Sequence, residues 1–403
     1  MNKSSFVALV AVPFFLSSCI AEEKENTECD IETVSLHVDV PTSIFYHDYD
    51  TLKTVIPADT NIVFAVRSYA DVQSIPLTLR ITEGATAYLT TDGVETPFLN
   101  GSPVDFSDDK VRTFRVVSQD KMWNRCYTIA VVHDKPSVGN LSADFESYYL
   151  DSSGKFYVWD GPEVFTDGIW KNGNPGFKIS KSSAAPMEYP STPVAGGGPD
   201  GSACLKLETC DTGPFGKMVN MRIASGSMFN GVFDVSNAIT NALKATQFGS
   251  PFMHKPMQMR VWLRYECGSN FQDKMGNAVS GILDEPDAYI VLYRNEDEFG
   301  GKVQLDGNDV LSSPYIVGLG RLPHHYNPDG SDQTSDSPIH GVTSEWQEFT
   351  IPVEYRAEVD AKILGDKGYS LIIGFASSWQ GAIFNGAIGS KLYIDNMQLF
   401  CEE

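Results

Sequence analysis

The chain has 403 residues, 42% of them hydrophobic, which is enough for one large core or two ordinary ones and too apolar for a disordered polymer. Its 52 acidic side chains against 30 basic ones give a formal charge of −22. Such a surface repels nucleic acid and anionic lipid, so no nucleic-acid partner is expected, while neutral ligands and divalent cations are compatible with it.

Lys3 precedes an apolar run from Phe6 to Leu16, followed by Ser17-Ser18-Cys19. A basic start, a short apolar stretch and small residues before a cut site read as a secretory signal peptide over residues 1–18. The run is shorter than the roughly 20 apolar residues a bilayer-spanning helix needs. Leu16-Ser17-Ser18-Cys19 resembles the lipobox of bacterial lipoproteins, in which the cysteine is acylated and the signal is cut just before it. The resemblance implies lipidation of Cys19 and an outer-membrane, lipid-anchored protein. Residues 19–28 are polar, acidic and aperiodic, which predicts a flexible tether. The acidic cluster after the cysteine is similar to the export signal of surface-exposed lipoproteins, which implies the cell surface.

Residues 29–134 read as short strands. Val34, Leu36, Val38 and Val40 alternate with polar residues, as do Ile62-Phe64-Val66 and Leu77-Leu79-Ile81. Turn residues at Thr91-Asp92-Gly93 and Asn100-Gly101 separate them. About 100 residues of this pattern predict an immunoglobulin-like β-sandwich. It holds no catalytic grouping, and a spacer role is expected.

Six cysteines remain beyond Cys19, an even number that permits disulfides in an exported protein, and their spacing matches no zinc motif. Cys29 and Cys126 bracket the first sandwich and could join its outer strands. Cys204 and Cys210 are expected on one strand, too far apart to pair.

Residues 135–140 read as a turn-rich linker. From 141 to 403 strands are predicted at 258–265, 288–293, 345–352, 369–375 and 391–400, with one short helix near 236–245, a pattern that suits a larger jelly-roll β-sandwich with elaborate loops. The fold class is therefore all-β throughout.

Several segments of this second part resemble the putative carbohydrate metabolism domain of gut-bacterial lipoproteins: Asp144-Phe-Glu146, Tyr189-Pro-Ser-Thr192, Ala224-Ser-Gly-Ser-Met-Phe-Asn-Gly231, Phe248-Gly-Ser-Pro-Phe252 and the run Ala376 to Asp395. The match covers about 144–400. Trp379 and Ala382 stand where that pattern would have a polar residue and an acid. The resemblance implies a fold like carbohydrate-binding jelly rolls, which often hold a structural calcium between first and last strands. Glu146 and Asp395 are its candidate ligands, since calcium takes carboxylate and carbonyl oxygens.

Sugars present an apolar C–H face to aromatic rings. Trp159, Trp170, Tyr189 and Trp379 lie in Gly-, Asn- and Ser-rich stretches and are the candidate platforms, whereas Trp262 and Trp346, inside strands, are expected in the core. Hydrolysis or lysis would need paired carboxylates. The best cluster is Asp284-Glu285-Pro286-Asp287, with Asp284 and Asp287 as candidate catalytic groups. His324-His325 lacks a third ligand at metal-like spacing, and Gly196 to Gly201 lacks the Lys-Ser/Thr of a phosphate loop. Three readings follow: a non-catalytic glycan binder, a glycoside hydrolase or lyase, and an adhesin or envelope protein with a protein partner.

Overall fold

A computed structural model describes residues 25–56, 59–67, 70–91, 93–133, 139–238, 240–327, 331, 337–343 and 345–402. The signal peptide, Cys19, most of the tether and most of the 135–140 linker lie outside the described residues. Contacts divide the chain into two compact units, residues 1–134 and 135–403.

The first unit is a two-sheet sandwich. One sheet runs in the order Leu52–Thr54, Ile31–Leu36, Ile75–Ile81, Ser102–Val104. The other runs Asn61–Val66, Asn124–His133, Val111–Val117, Thr86–Thr91, Val94–Pro97, and its first pair is parallel. Alternation sends Val34, Leu77 and Leu79 of one sheet against Phe64, Phe114, Val116 and Ile129 of the other. The strand predicted to reach Val40 ends at Leu36, because Pro41 opens a 3-10 turn, Pro41–Ser43, and Val40 is exposed.

The second unit stacks two six-stranded antiparallel sheets. The open sheet has the path Ser191–Val194, Cys204–Glu208, Lys391–Cys401, Pro256–Glu266, Gln347–Pro352, and Leu141–Ala143 also pairs with Lys391–Cys401. The covered sheet has the path Ser227–Phe229, Tyr369–Ala376, Asp287–Arg294, Ile316–Arg321, Glu354–Tyr355, with Ser250–Pro251 on Tyr369–Ala376. Met259, Val261, Leu263 and Ile394 from the first meet Ile290, Leu371, Ile373 and Phe375 from the second in one core.

The two sheets differ on their far sides. In the covered sheet, Tyr289, Val291, Tyr293 and Ile372 pack beneath Phe229, Phe248 and Leu305 in a further apolar cluster. That second layer includes a small sheet of Gly231–Phe233, Thr246–Phe248 and Leu305–Asp306. Both faces are thus buried, which is why Ala288 to Tyr293 is an unbroken apolar run. In the open sheet Pro256–Glu266 alternates, with one face in the core and the other half exposed, while Lys391–Cys401 is buried on both faces from Leu392 to Asp395.

The predicted helix near 236–245 is a 3-10 turn, Val235–Asn237, and a single α turn, Ala242–Ala245. The six described cysteines are all free thiols, so the Cys29–Cys126 bridge is not formed. Cys204 and Cys210 are unpaired, but they do not share a strand: Thr209 turns away to bond Ser390, and Cys210–Asp211 pairs with Ile223–Ala224 instead.

Candidate functional site

The four aromatic residues chosen as sugar platforms are not available as platforms. Trp159 and Trp170 are fully buried and belong to the inter-sheet core. They face each other across two strands of a small sheet, Tyr148–Leu150, Tyr157–Asp160 and Ile169–Trp170, that plugs one part of the core. Phe165 meets the Trp170 ring edge-on at 4.8 Å. Tyr189 is 1% exposed between Phe156 and Phe177. Trp379, 9% exposed, stacks on His324 at 5.4 Å, and its backbone N–H donates to the Glu285 carbonyl. The loops around them are polar in composition, yet each ring fills a gap the strands leave.

The acidic cluster is also internal. Asp284 is fully buried; its Oδ2 accepts from Ser378 Oγ at 2.6 Å, Ala387 N–H at 2.7 Å and Ser390 Oγ at 2.8 Å. Burial pushes its pKa up to about 7 against the pull of those donors. Asp287 is gripped by both arms of the Arg321 guanidinium, at 2.9 and 2.7 Å. Although burial opposes it, Arg321 and His324 hold that carboxyl below its ordinary value. Glu285 accepts from the His325 N–H and pairs with His340 Nδ1 at 3.0 Å. Asp284 is sealed and Asp287 4% exposed, and the oxygens of both are taken up in separate internal networks rather than facing one open cleft.

What the structure leaves half exposed is part of the outer face of the open sheet, around Arg260, Trp262, Arg264 and Trp346, while Tyr393 and Asp395 on the same face are buried. Along Pro256–Glu266, Met259, Val261, Leu263 and Tyr265 point into the core, which leaves Arg260, Trp262, Arg264 and Glu266 on the other side. Register places Tyr393 between Lys206 and Arg264, Trp262 between Asp395 and Glu348, and Lys391 between Glu208 and Glu266. The Arg264 guanidinium lies 4.0 Å above the Tyr393 ring and 6.0 Å from Trp346, whose ring meets Tyr393 edge-on at 6.5 Å. Arg260 covers Phe400 at 4.5 Å and donates to Gln398 Oε1 at 2.9 Å. Burial holds the Tyr393 phenol up at about 12, so it stays a hydrogen-bond donor.

Trp262 and Trp346 are therefore not core residues: both are half-buried on this face. The sequence carried the signal. If Met259, Val261 and Leu263 face inward, period two forces Trp262 outward. The Trp346 N–H donates to the Gly197 carbonyl at 3.0 Å, pinning the glycine-rich loop beside the face, while the Trp262 N–H has no partner among the described residues.

Glu146 and Asp395 do come together at that loop. Glu146 Oε1 accepts from the Ala203 N–H at 2.6 Å; Asp395 Oδ2 accepts from Ser202 Oγ at 3.0 Å and its Oδ1 from the Asn396 N–H at 2.8 Å. Burial raises Asp395 to about 6, and the Asp200 and Glu146 charges add to that. Three of the four oxygens of this pair thus accept from loop donors, and Asp200 stands close enough to raise Asp395 further; among the described residues no group of three or more His, Cys, Asp or Glu is gathered as a metal cluster.

Residues 144–400 match the model of a family described as "Putative carbohydrate metabolism domain". The chain is similar to a crystal structure described as a putative glycoside hydrolase from Bacteroides thetaiotaomicron, at 29% identity and a TM-score of 0.72, covering 95% of this chain and 99% of that one. A second such structure, from Bacteroides vulgatus, matches at 28% identity and a TM-score of 0.55 over 65% of this chain and 98% of that one. No curated protein matches the chain.

Proposed function

Because this chain belongs to the putative carbohydrate metabolism domain family, we propose that it is a cell-surface lipoprotein that binds glycan on the outer face of the open sheet without cleaving it. One observation carries the reading: Trp262 and Trp346, both half exposed, stand at the outer face of the open sheet among Arg260, Arg264, Lys206 and Glu266, with Tyr393 packed under Arg264 between them. Rings take the apolar side of a pyranose, and fixed donors and acceptors beside them read its hydroxyls. Acylated Cys19 would tether the chain, and the first sandwich would act as spacer. A glycan array on residues 20–403 tests the binding. Trp262→Ala should cost about tenfold or more in affinity for the hit, while Trp123→Ala, in the first unit, should not. Equal binding by the Trp262 variant would refute the face as the site. Incorporation of a palmitate analogue, lost in Cys19→Ala, tests the anchor.

Hydrolysis has one observation in its favour: two solved structures similar to this chain are described as putative glycoside hydrolases. Release of reducing ends by the chain from the glycan it binds would establish that reading instead.

A further inference from the structure

Behind the covered sheet lies a second feature that the outer face of the open sheet does not use. A cavity of about 230 Å³ opens between the short helices Asn174–Ser180 and Gly213–Met218. Its wall carries seven phenylalanines, among them Phe177, Phe229, Phe248 and Phe375, and two methionines, Met221 and Met228. Glycines and alanines fill much of the remaining lining, so the space is left by small side chains opposite large ones. Among the described residues no charged side chain lines it. A cavity of about 150 Å³ with apolar walls already takes a benzene ring, and this one is larger.

The largest polar side chain of the wall faces the space without a partner. Tyr289 is 8% exposed and lines the cavity, and its phenol makes no hydrogen bond with any described residue. Its ring lies flat across Gly374, where any Cβ would stand 2.3 Å from the ring carbon bearing the hydroxyl. Burial raises the phenol's pKa well above its ordinary value, so it is present as a neutral donor. Its hydroxyl is not among the fully buried unpaired atoms, so it meets the cavity space, where a guest oxygen could accept from it.

We propose that this cavity binds an uncharged aryl group carrying one oxygen that meets Tyr289 Oη. The ring chemistry of the walls selects aromatic over charged guests: phenylalanine edges pack against a guest's face, and the two thioethers add favourable contacts. A bare sugar fits it less well, because the lining is mostly apolar and the hydroxyls of Ser180, Thr212 and Ser225 already donate to backbone carbonyls. The aryl group could be free or carried as a substituent on a glycan. The inference stands on the cavity alone and does not require the sheet-face reading.

The test uses residues 20–403, isothermal titration at neutral pH, and two probes: para-ethylphenol and its β-glucoside. Saturable one-to-one binding is expected for at least one of them. Tyr289→Phe removes only the hydroxyl and should weaken it about fivefold, the worth of one neutral hydrogen bond. Ala382→Trp, a substitution at an exposed lining position, should abolish it by filling the opening. Equal binding of both probes identifies a free aryl guest; binding of the glucoside alone identifies a glycan-borne one. Trp262→Ala separates the two sites, since cavity binding should survive it. The proposal fails if neither probe saturates. It also fails if Tyr289→Phe and Ala382→Trp bind like the wild type, including the case where only Trp262→Ala lowers glucoside affinity.

Discussion

Asp284→Asn should flatten the pH dependence of stability. The carboxyl is fully buried and its pKa is raised from an ordinary 3.8 to about 7. A carboxyl raised on folding binds its proton more tightly in the folded state, so folded stability is greatest when it is protonated. That stability is lost as pH rises from about 4 to about 7, the window between unfolded and folded values. At 1.36 kcal/mol per pKa unit, the loss is of order 4 kcal/mol. Asparagine keeps the shape and cannot ionise, so this contribution disappears. The amide nitrogen must face one group that now donates to the carboxyl, either Ser378, Ser390 and Ala387 on one side or the Glu285 N–H on the other. That mismatch costs about 1–3 kcal/mol, but at every pH alike.

The assay is guanidinium unfolding of residues 20–403 at pH 4, 5.5 and 8, followed by tryptophan fluorescence. Five of the six tryptophans lie in the second unit, and the sixth, Trp123, is exposed, so the signal reports the unit that holds Asp284. The quantity to read is the difference between variant and wild type as a function of pH, in which the constant mismatch cancels. Asp395, also raised, contributes the same slope to both proteins and cancels too. The variant should gain about 4 kcal/mol relative to wild type between pH 4 and pH 8. Parallel curves would mean that the folded carboxyl titrates near its ordinary value, its four donors offsetting its desolvation.

Trp170→Ala should destabilise the second unit by about 3–5 kcal/mol, because it empties a fully buried site beside Phe145 and Phe165; measured where it is still folded, it should bind glycan as the wild type does. Arg321→Ala strands Asp287 as a buried charge and should cost about 3–5 kcal/mol. The double change Asp287→Leu with Arg321→Met should recover most of that loss in the same unfolding titration. Chelation with EDTA should leave the melting temperature unchanged, since Glu146 and Asp395 are satisfied by protein donors; a fall of several degrees would restore calcium at that loop.

The long strands of the second unit were legible because burial imposes period two on one sheet and a continuous apolar run on the other, whereas shorter ones such as Ile316–Arg321 were not. Gln258 to Tyr265 and Ala288 to Tyr293 lie inside the observed strands with an error of one or two residues at each end. The choice of binding residues failed for a reason of the same kind. Polar, glycine-rich surroundings mark irregular backbone, not exposure, and Trp159 and Trp170 occupy such backbone where it folds back over the core. Acid clusters mislead similarly: Asp284 and Asp287 are three residues apart but belong to different networks, one of hydroxyls and one of a guanidinium. Only three-dimensional closure separates them. Trp262 was readable, since the alternation that identified its strand also fixed its side.

The charge on the outer face of the open sheet bears on what it can hold. The chain carries −22 overall, yet this face is balanced: Lys206, Arg260, Arg264 and Lys391 stand beside Glu208, Glu266, Glu348 and Asp395. Several are paired directly, Lys206 with Glu208 at 2.7 Å and Lys391 with Glu266 at 3.3 Å. A face with alternating signs leaves little net field to attract an ion at long range, while its fixed donors and acceptors still serve hydroxyl groups at contact. A neutral glycan should therefore bind with an affinity that changes less than about twofold between low salt and half-molar salt, where the screening length falls from tens of ångströms to a few. Titration of the array hit at both ionic strengths checks this. A steep loss of affinity in salt would show that the arginines meet an anionic sugar, and that their ion pairs open to admit it.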